Sequence, residues 1–181
     1  MLKRGILLFF LFSGVLSCLC DDEKPFWNIK TIDILAVDLN GNNIDTDTIT
    51  TDSIGIVVDI DLLFVTQNSL KNIFINTAMA TSCPQDGLDG MKDPITNITL
   101  TCDQDYNSFA AGVSLNSIVR YHNQEGFQNF IDEVKDFPAV DFFSFFIVEK
   151  PTNIDSLSFN LQIDFASGQD VKDSSGVVYW Q

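Results

Sequence analysis

The chain of 181 residues carries 25 acidic against 10 basic residues and a single histidine, a formal net charge of −15. Such a surface repels phosphate backbones and anionic headgroups, so no nucleic-acid partner is expected and charge offers no route to a membrane. Hydrophobic residues make up 45% of the chain and phenylalanine alone supplies 16, which excludes an acidic disordered polymer and suits one domain with a sizeable core.

At the start, Lys3 and Arg4 precede an uncharged run from Gly5 to Leu16, the order of a secretory signal peptide. The run falls short of the roughly 20 apolar residues that a membrane span needs, and Asp21, Asp22 and Glu23 close it. Val15-Leu16-Ser17-Cys18 resembles the lipobox of bacterial lipoproteins. That resemblance implies a lipoprotein signal peptide over residues 1–17, removed before Cys18, and a lipid carried on the Cys18 thiol. Residues 18–28 would then form a lipidated acidic tether. Leu19 lacks the aspartate that retains enteric lipoproteins in the inner membrane, so the expected location is the bacterial outer membrane. Asp21-Asp22-Glu23 also resembles the acidic surface-export signal of Bacteroidota lipoproteins. Read as plain chemistry, it is a solvated tether. The membrane is thus an expected partner, reached through lipid rather than charge.

From Ile29 onward the pattern is period two. Ile29 to Val37 reads as a strand and runs into "DLNGNNIDTD". There Asp38, Asn40 and Asn42 alternate oxygen donors as calcium loops do, with Asp45 and Asp47 able to complete a shell. Gly41 stands at the fourth position, Asn43 replaces the sixth-position glycine and Ile49 stands where a bidentate glutamate belongs. These departures favour a turn built on Asn-Gly over a metal site, and the sequence calls for no cofactor. In "IGIVVDIDLLF", Ile54, Ile56, Val58, Ile60, Leu62 and Phe64 share one face, with Asp59 and Asp61 on the other.

Further strands are predicted over Ile73 to Ser82 and Ile95 to Cys102. They flank a turn-rich segment, "PQDGLDGMKDP", bounded by Cys83 and Cys102. With Cys18 acylated and Cys20 in the tether, Cys83 and Cys102 are the plausible disulfide in an oxidising compartment. A loop of that length would contribute on the order of 3 kcal/mol. Two buried free thiols are the alternative. Cys102 shares the inward parity of Ile98 and Leu100, as Cys83 does that of Ile73, Ile75 and Met79. No Cys or His cluster suggests zinc.

Phe127, Phe130, Ile131 and Val134 recur at helical spacing and predict a helix from about Asn123 to Lys135, with Asn123 as cap and Phe137-Pro138 as the stop. The lone His122 lies at its approach, without the Gly-x-Ser-x-Gly elbow of a hydrolase. The Phe-rich run over Phe142 to Glu149 reads as core rather than ligand platform. "LSFNLQIDF" alternates from Leu157 to Phe165, and Val177 to Trp180 closes the set. Seven short strands broken by Gly, Asn, Asp and Pro clusters predict a mainly β fold. The expected architecture is an antiparallel immunoglobulin-like β-sandwich of about seven strands with one inserted short helix, filling residues 29–181.

The stretch "ITNITLTCDQDYNSFAAGVSLNSIV", with the later Phe-rich strand and final hairpin, resembles a group of uncharacterised Bacteroidota lipoproteins. That resemblance implies an extracytoplasmic, lipid-anchored β domain and transfers no activity. With 21 aspartates and four glutamates spread over polar faces and turns, no carboxylate pair stands out for hydrolysis. The expectation is a non-catalytic binding or structural module for a protein or glycan. A pilin-like assembly subunit is the alternative, followed by a carboxylate-dependent hydrolase.

Overall fold

A computed structural model describes residues 24, 26–38, 41, 43–44, 48–49, 52–66, 86–136, 139–152 and 155–180. Its two longest strands, β1 (Phe26–Val37) and β3 (Ile54–Val65), pair antiparallel along their whole length. A bulge between Ile29 and Thr31 turns Lys30 outward, where its ammonium meets the Asp61 carboxylate at 2.8 Å. β1 begins three residues before the run visible in the sequence. Trp27 donates its N–H to Gly90 and accepts from Lys92, so the turn-rich segment before β4 (Ile95–Cys102) sews down the start of β1.

β3 pairs on its other side with β7 (Phe142–Ile147). β5 (Val119–Tyr121) and β6 (Gln124–Glu125) complete a five-stranded sheet in the order β1-β3-β7-β5-β6. A second sheet is ordered β10-β9-β4, from β9 (Phe159–Phe165) and β10 (Asp170–Ser174). A small end sheet joins β2 (Thr48–Ile49), β11 (Val178–Trp180) and β8 (Ser156–Leu157). All pairs are antiparallel except β2 with β11.

The result is a β-sandwich with one core. Ile32, Ile34, Ile56, Val58, Phe143, Phe145 and Ile147 of the larger sheet are buried, as are Ile98, Leu100, Leu161 and Ile163 of the second. Each such side chain contributes roughly 1.5–3 kcal/mol, and a one-residue slip would turn a whole set outward, which fixes the register. Cys102 lies inward with Ile98 and Leu100, as its parity requires. α1 (Gln128–Asp136) buries Phe130, Ile131 and Val134, and Phe127 just before it is buried with them, the four residues whose spacing announced it. Phe127 meets Phe145 edge-on at 4.8 Å, and Phe130 stacks on Phe143 at 4.0 Å. The helix therefore covers the inner face of β7.

The expected antiparallel sandwich is present, and one boundary changes. Among the described residues it holds eleven strands: beyond those visible in the sequence are β2, β5, β6 and β8, too short to show a period, and β10, an exposed strand with little apolar content. The helix starts at Gln128, not Asn123. His122 (φ 44°) and Asn123 (φ 65°) instead form the two-residue turn joining β5 to β6, a conformation that asparagine tolerates better than most residues. The predicted strand over Ile73 to Ser82, and the Phe137-Pro138 stop, lie outside the described residues.

Candidate functional site

Among the described residues, β7 has a neighbour along only half of one edge. In an antiparallel ladder, successive residues point their main-chain groups to opposite neighbours. Asp141 C=O accepts from Ile60 N–H at 2.8 Å, so odd-numbered residues of β7 face β3. Val148 N–H donates to Ile118 C=O at 3.3 Å, so even-numbered residues face β5. β5 pairs with Phe146 and Ile147 and then leaves at the His122-Asn123 turn. Phe142 and Ser144 consequently point their N–H and C=O groups where no strand among the described residues lies.

A groove of about 360 Å³ occupies that vacancy, at the small end of ligand-site volumes of about 300–1,000 Å³. Phe130, Glu133 and Val134 of α1 wall one side, Phe142 to Ser144 of β7 another, and Tyr121, His122 and Val140 line the rest. The Tyr121 hydroxyl donates to Glu133 Oε2 at 2.9 Å, which ties α1 to the end of β5. Burial first, and then that carboxylate, push the Tyr121 phenol up to about 12. His122 stacks on the Tyr121 ring at 4.2 Å and sets Nδ1 3.9 Å from Glu133 Oε1.

Ser144, His122 and Glu133 thus share one groove, yet no hydrogen bond joins Ser144 to the imidazole. The geometry is not that of an activated nucleophile, which needs its base within hydrogen-bond reach. The groove offers instead a row of main-chain donors and acceptors beside an apolar floor. Phe142, 58% exposed, and Phe146 occupy the outward parity of β7. The Phe-rich run of β7 reads in the sequence as core, and the groove's other walls come from separate segments.

The remaining candidates fall elsewhere. Of the possible calcium donors, only Asp38 is described; Asn40, Asn42, Asp45 and Asp47 lie outside the described residues. Asp38 C=O accepts from Gly41 N–H at 3.0 Å, with Gly41 at φ +83°. Ile44 N–H then reaches Ala36 C=O at 3.0 Å. Among the described residues, no group of His, Cys, Asp and Glu could hold a metal ion.

Cys102 is a buried thiol whose Sγ donates to Gln104 C=O at 2.9 Å, and burial pushes its pKa up. Its expected partner Cys83 lies outside the described residues, as do the leader, Cys18 and Cys20. No helix among the described residues is long and apolar enough to cross a membrane.

A polar depression over Thr99, Thr101, Asn160, Gln162, Lys172 and Ser174 crosses the outer face of the second sheet. Its side chains bond to one another, as Ser174 Oγ does to Asn160 Oδ1 at 2.7 Å. Compared with protein-family models, curated proteins and solved structures, the chain finds no match.

Proposed function

We propose that the chain is a lipid-anchored, non-catalytic binding module of the bacterial cell envelope, related to the Bacteroidota lipoproteins that its motifs resemble. Cys18 holds it to the outer membrane, and the groove beside β7 engages a protein ligand. The observation that carries the binding reading is the half-open edge of β7, because exposed strand edges are otherwise covered, twisted away or charged in native sheets. The leader and Val15 to Cys18 support the anchor.

The same edge also supports a second reading, an assembly subunit that pairs with its own copies. Mass spectrometry tests the anchor: the wild-type chain is expected to carry diacylglycerol on Cys18, and Cys18→Ser to lack it and leave an unprocessed or soluble product. Diacylglycerol on Cys20, or a mature N-terminus elsewhere, would overturn it. Size-exclusion chromatography separates the readings, since a binding module elutes as a monomer and a subunit as a concentration-dependent series.

A further inference from the structure

We infer that the outer face of the larger sheet binds a neutral, extended glycan along β7, with Phe142 and Phe146 as its two stacking rings. The inference goes beyond the protein-binding reading, because it concerns the outer face of β7 and adds a second class of ligand. β7 alternates strictly: Phe143, Phe145 and Ile147 fill the core, while Phe142, Ser144 and Phe146 point outward. Phe142 is 58% exposed, Phe146 43% and Val148 beyond them 41%. Alternation alone does not put apolar side chains there, since the outer face of the second sheet carries Thr99, Thr101, Asn160, Gln162 and Ser174. An exposed apolar patch rimmed by polar groups marks an interaction site.

The register shows how the platform is built. Val37 of β1, Gly55 of β3, Phe146 of β7 and Arg120 of β5 stand side by side across the sheet. Gly55 leaves the space into which the Phe146 ring leans: a Cβ there would lie 3.4 Å from Phe146 Cε1 and 2.8 Å from Val37 Cγ2. The ring is thus seated on the neighbouring strand. Leu35, Val57 and Ser144 form the next row, and Asp33, Asp59 and Phe142 the one after. Phe146 lies four positions beyond Phe142, about 13–14 Å at the usual strand rise.

That arrangement selects the ligand. An aromatic face is electron-rich and attracts the weakly positive C–H groups that cover the flat side of an equatorially substituted sugar. The hydroxyl groups at the sugar's rim need hydrogen-bonding partners. Ser144 lies between the two rings, Asp59 beside Phe142 and Arg120 beside Phe146. One sugar is too short to touch both rings, whereas a straight chain of equatorially linked sugars follows the strand. Asp33, Asp59 and a net charge of −15 repel sulfated or uronic-acid polymers and anionic headgroups alike.

The test uses the full-length chain in a polyoxyethylene detergent, which contains no sugar, with cellohexaose, maltohexaose and a heparin hexasaccharide as probes. Calorimetric titration is expected to show cellohexaose binding at least tenfold more tightly than the coiled maltohexaose, and no binding of the heparin fragment. Cellohexaose should shift the amide resonances of Gly55, Val57, Ser144 and Phe146. Phe142→Ser and Phe146→Ser should each weaken binding at least tenfold with the circular dichroism unchanged. Phe146→Tyr, which keeps the ring, should bind within about threefold of the wild type.

No binding of cellohexaose, equal affinity for either other probe, full binding by either serine variant, or shifts confined to Phe130, Glu133 and Val134 of the groove would each overturn the inference. Self-association that the serine variants abolish, without sugar binding, would assign the face to a second copy instead. All of these failures leave the Cys18 anchor untouched.

Discussion

β4 and β7 pose the same problem and solve it differently. Each has main-chain groups on an edge that no strand among the described residues covers. On β4, the Asn116 side chain takes the place of a strand: its amide donates to Ile98 C=O at 2.7 Å and its carbonyl accepts from Leu100 N–H at 3.0 Å. Leu115 and Gly112 add main-chain bonds to Leu100 and Cys102. On β7, β5 stops after Tyr121, and Phe142 and Ser144 have no strand opposite among the described residues. An unpaired edge invites association, and the two edges differ in this respect: one is sealed by a dedicated side chain, and the other lies beside an apolar groove.

The largest effect should come from removing the wall of the open edge. Phe130→Ala takes away the ring stacked on Phe143 and the edge contact to Tyr121 at 5.4 Å. Loss of a buried aromatic costs about 3–5 kcal/mol, which urea unfolding followed by circular dichroism would register. A cost below about 1 kcal/mol would mean that α1 does not hold the groove together.

Next comes the seal on β4. Asn116→Leu leaves a donor and an acceptor facing an apolar side chain, at about 1–3 kcal/mol for each group left unpaired. Stability should fall by about 3 kcal/mol, and light scattering should show more association than in the wild type. Preserved stability would erase the contrast between the two edges.

Tyr121→Phe is expected to be milder, near 1 kcal/mol for one hydrogen bond. It also carries a pH signature. The folded state raises the phenol to about 12, against roughly 10 in an unfolded chain. The stabilisation is therefore fully present below pH ~10 and lost as pH rises towards the folded value. Stability between those limits should fall less steeply in Tyr121→Phe than in wild type. Some slope will remain, because burial raises the Tyr106 phenol as well.

Smallest of all is Ser144→Pro, which removes an N–H that bonds nothing among the described residues. Proline is tolerated on strand edges, so the expected loss is under about 1 kcal/mol. A large loss would show that the edge is already occupied within the fold.

Long-period features were legible in the sequence and short ones were not. Strands of eight to twelve residues such as β1, β3 and β4 repeat their alternation often enough to be read, and four apolar residues at helical spacing gave the buried face of α1. β5 and β6, three and two residues long, contain no period. Asn123 is as apt for a left-handed turn as for a helix cap, and only the pairing of Tyr121 with Gln124 decides between them.

β10 escaped notice because its stability comes from pairing and from Asp173 rather than from apolar side chains. The groove was invisible for a related reason: it is defined by where β5 ends. The preference for aspartate over glutamate has a structural reason too. Asp93, Asp103, Asp105 and Asp173 accept the N–H groups of Ser167, Ser158, Ala111 and Ile34, and a short carboxylate suits such main-chain capping.

The burial of both tryptophans gives the molecule its own optics. Trp27 lies at the start of β1, fully buried, and Trp180 at the end of β11, 4% exposed, with Phe159 edge-on at 6.3 Å. Both indole N–H groups are enclosed without an acceptor among the described residues. Each ring therefore emits from apolar surroundings, at the short-wavelength end of the tryptophan range. The two chromophores sit in different sheets, so replacing either with phenylalanine leaves a single lamp in one layer of the sandwich. Light alone can then tell an opening of the end sheet from an opening of β1.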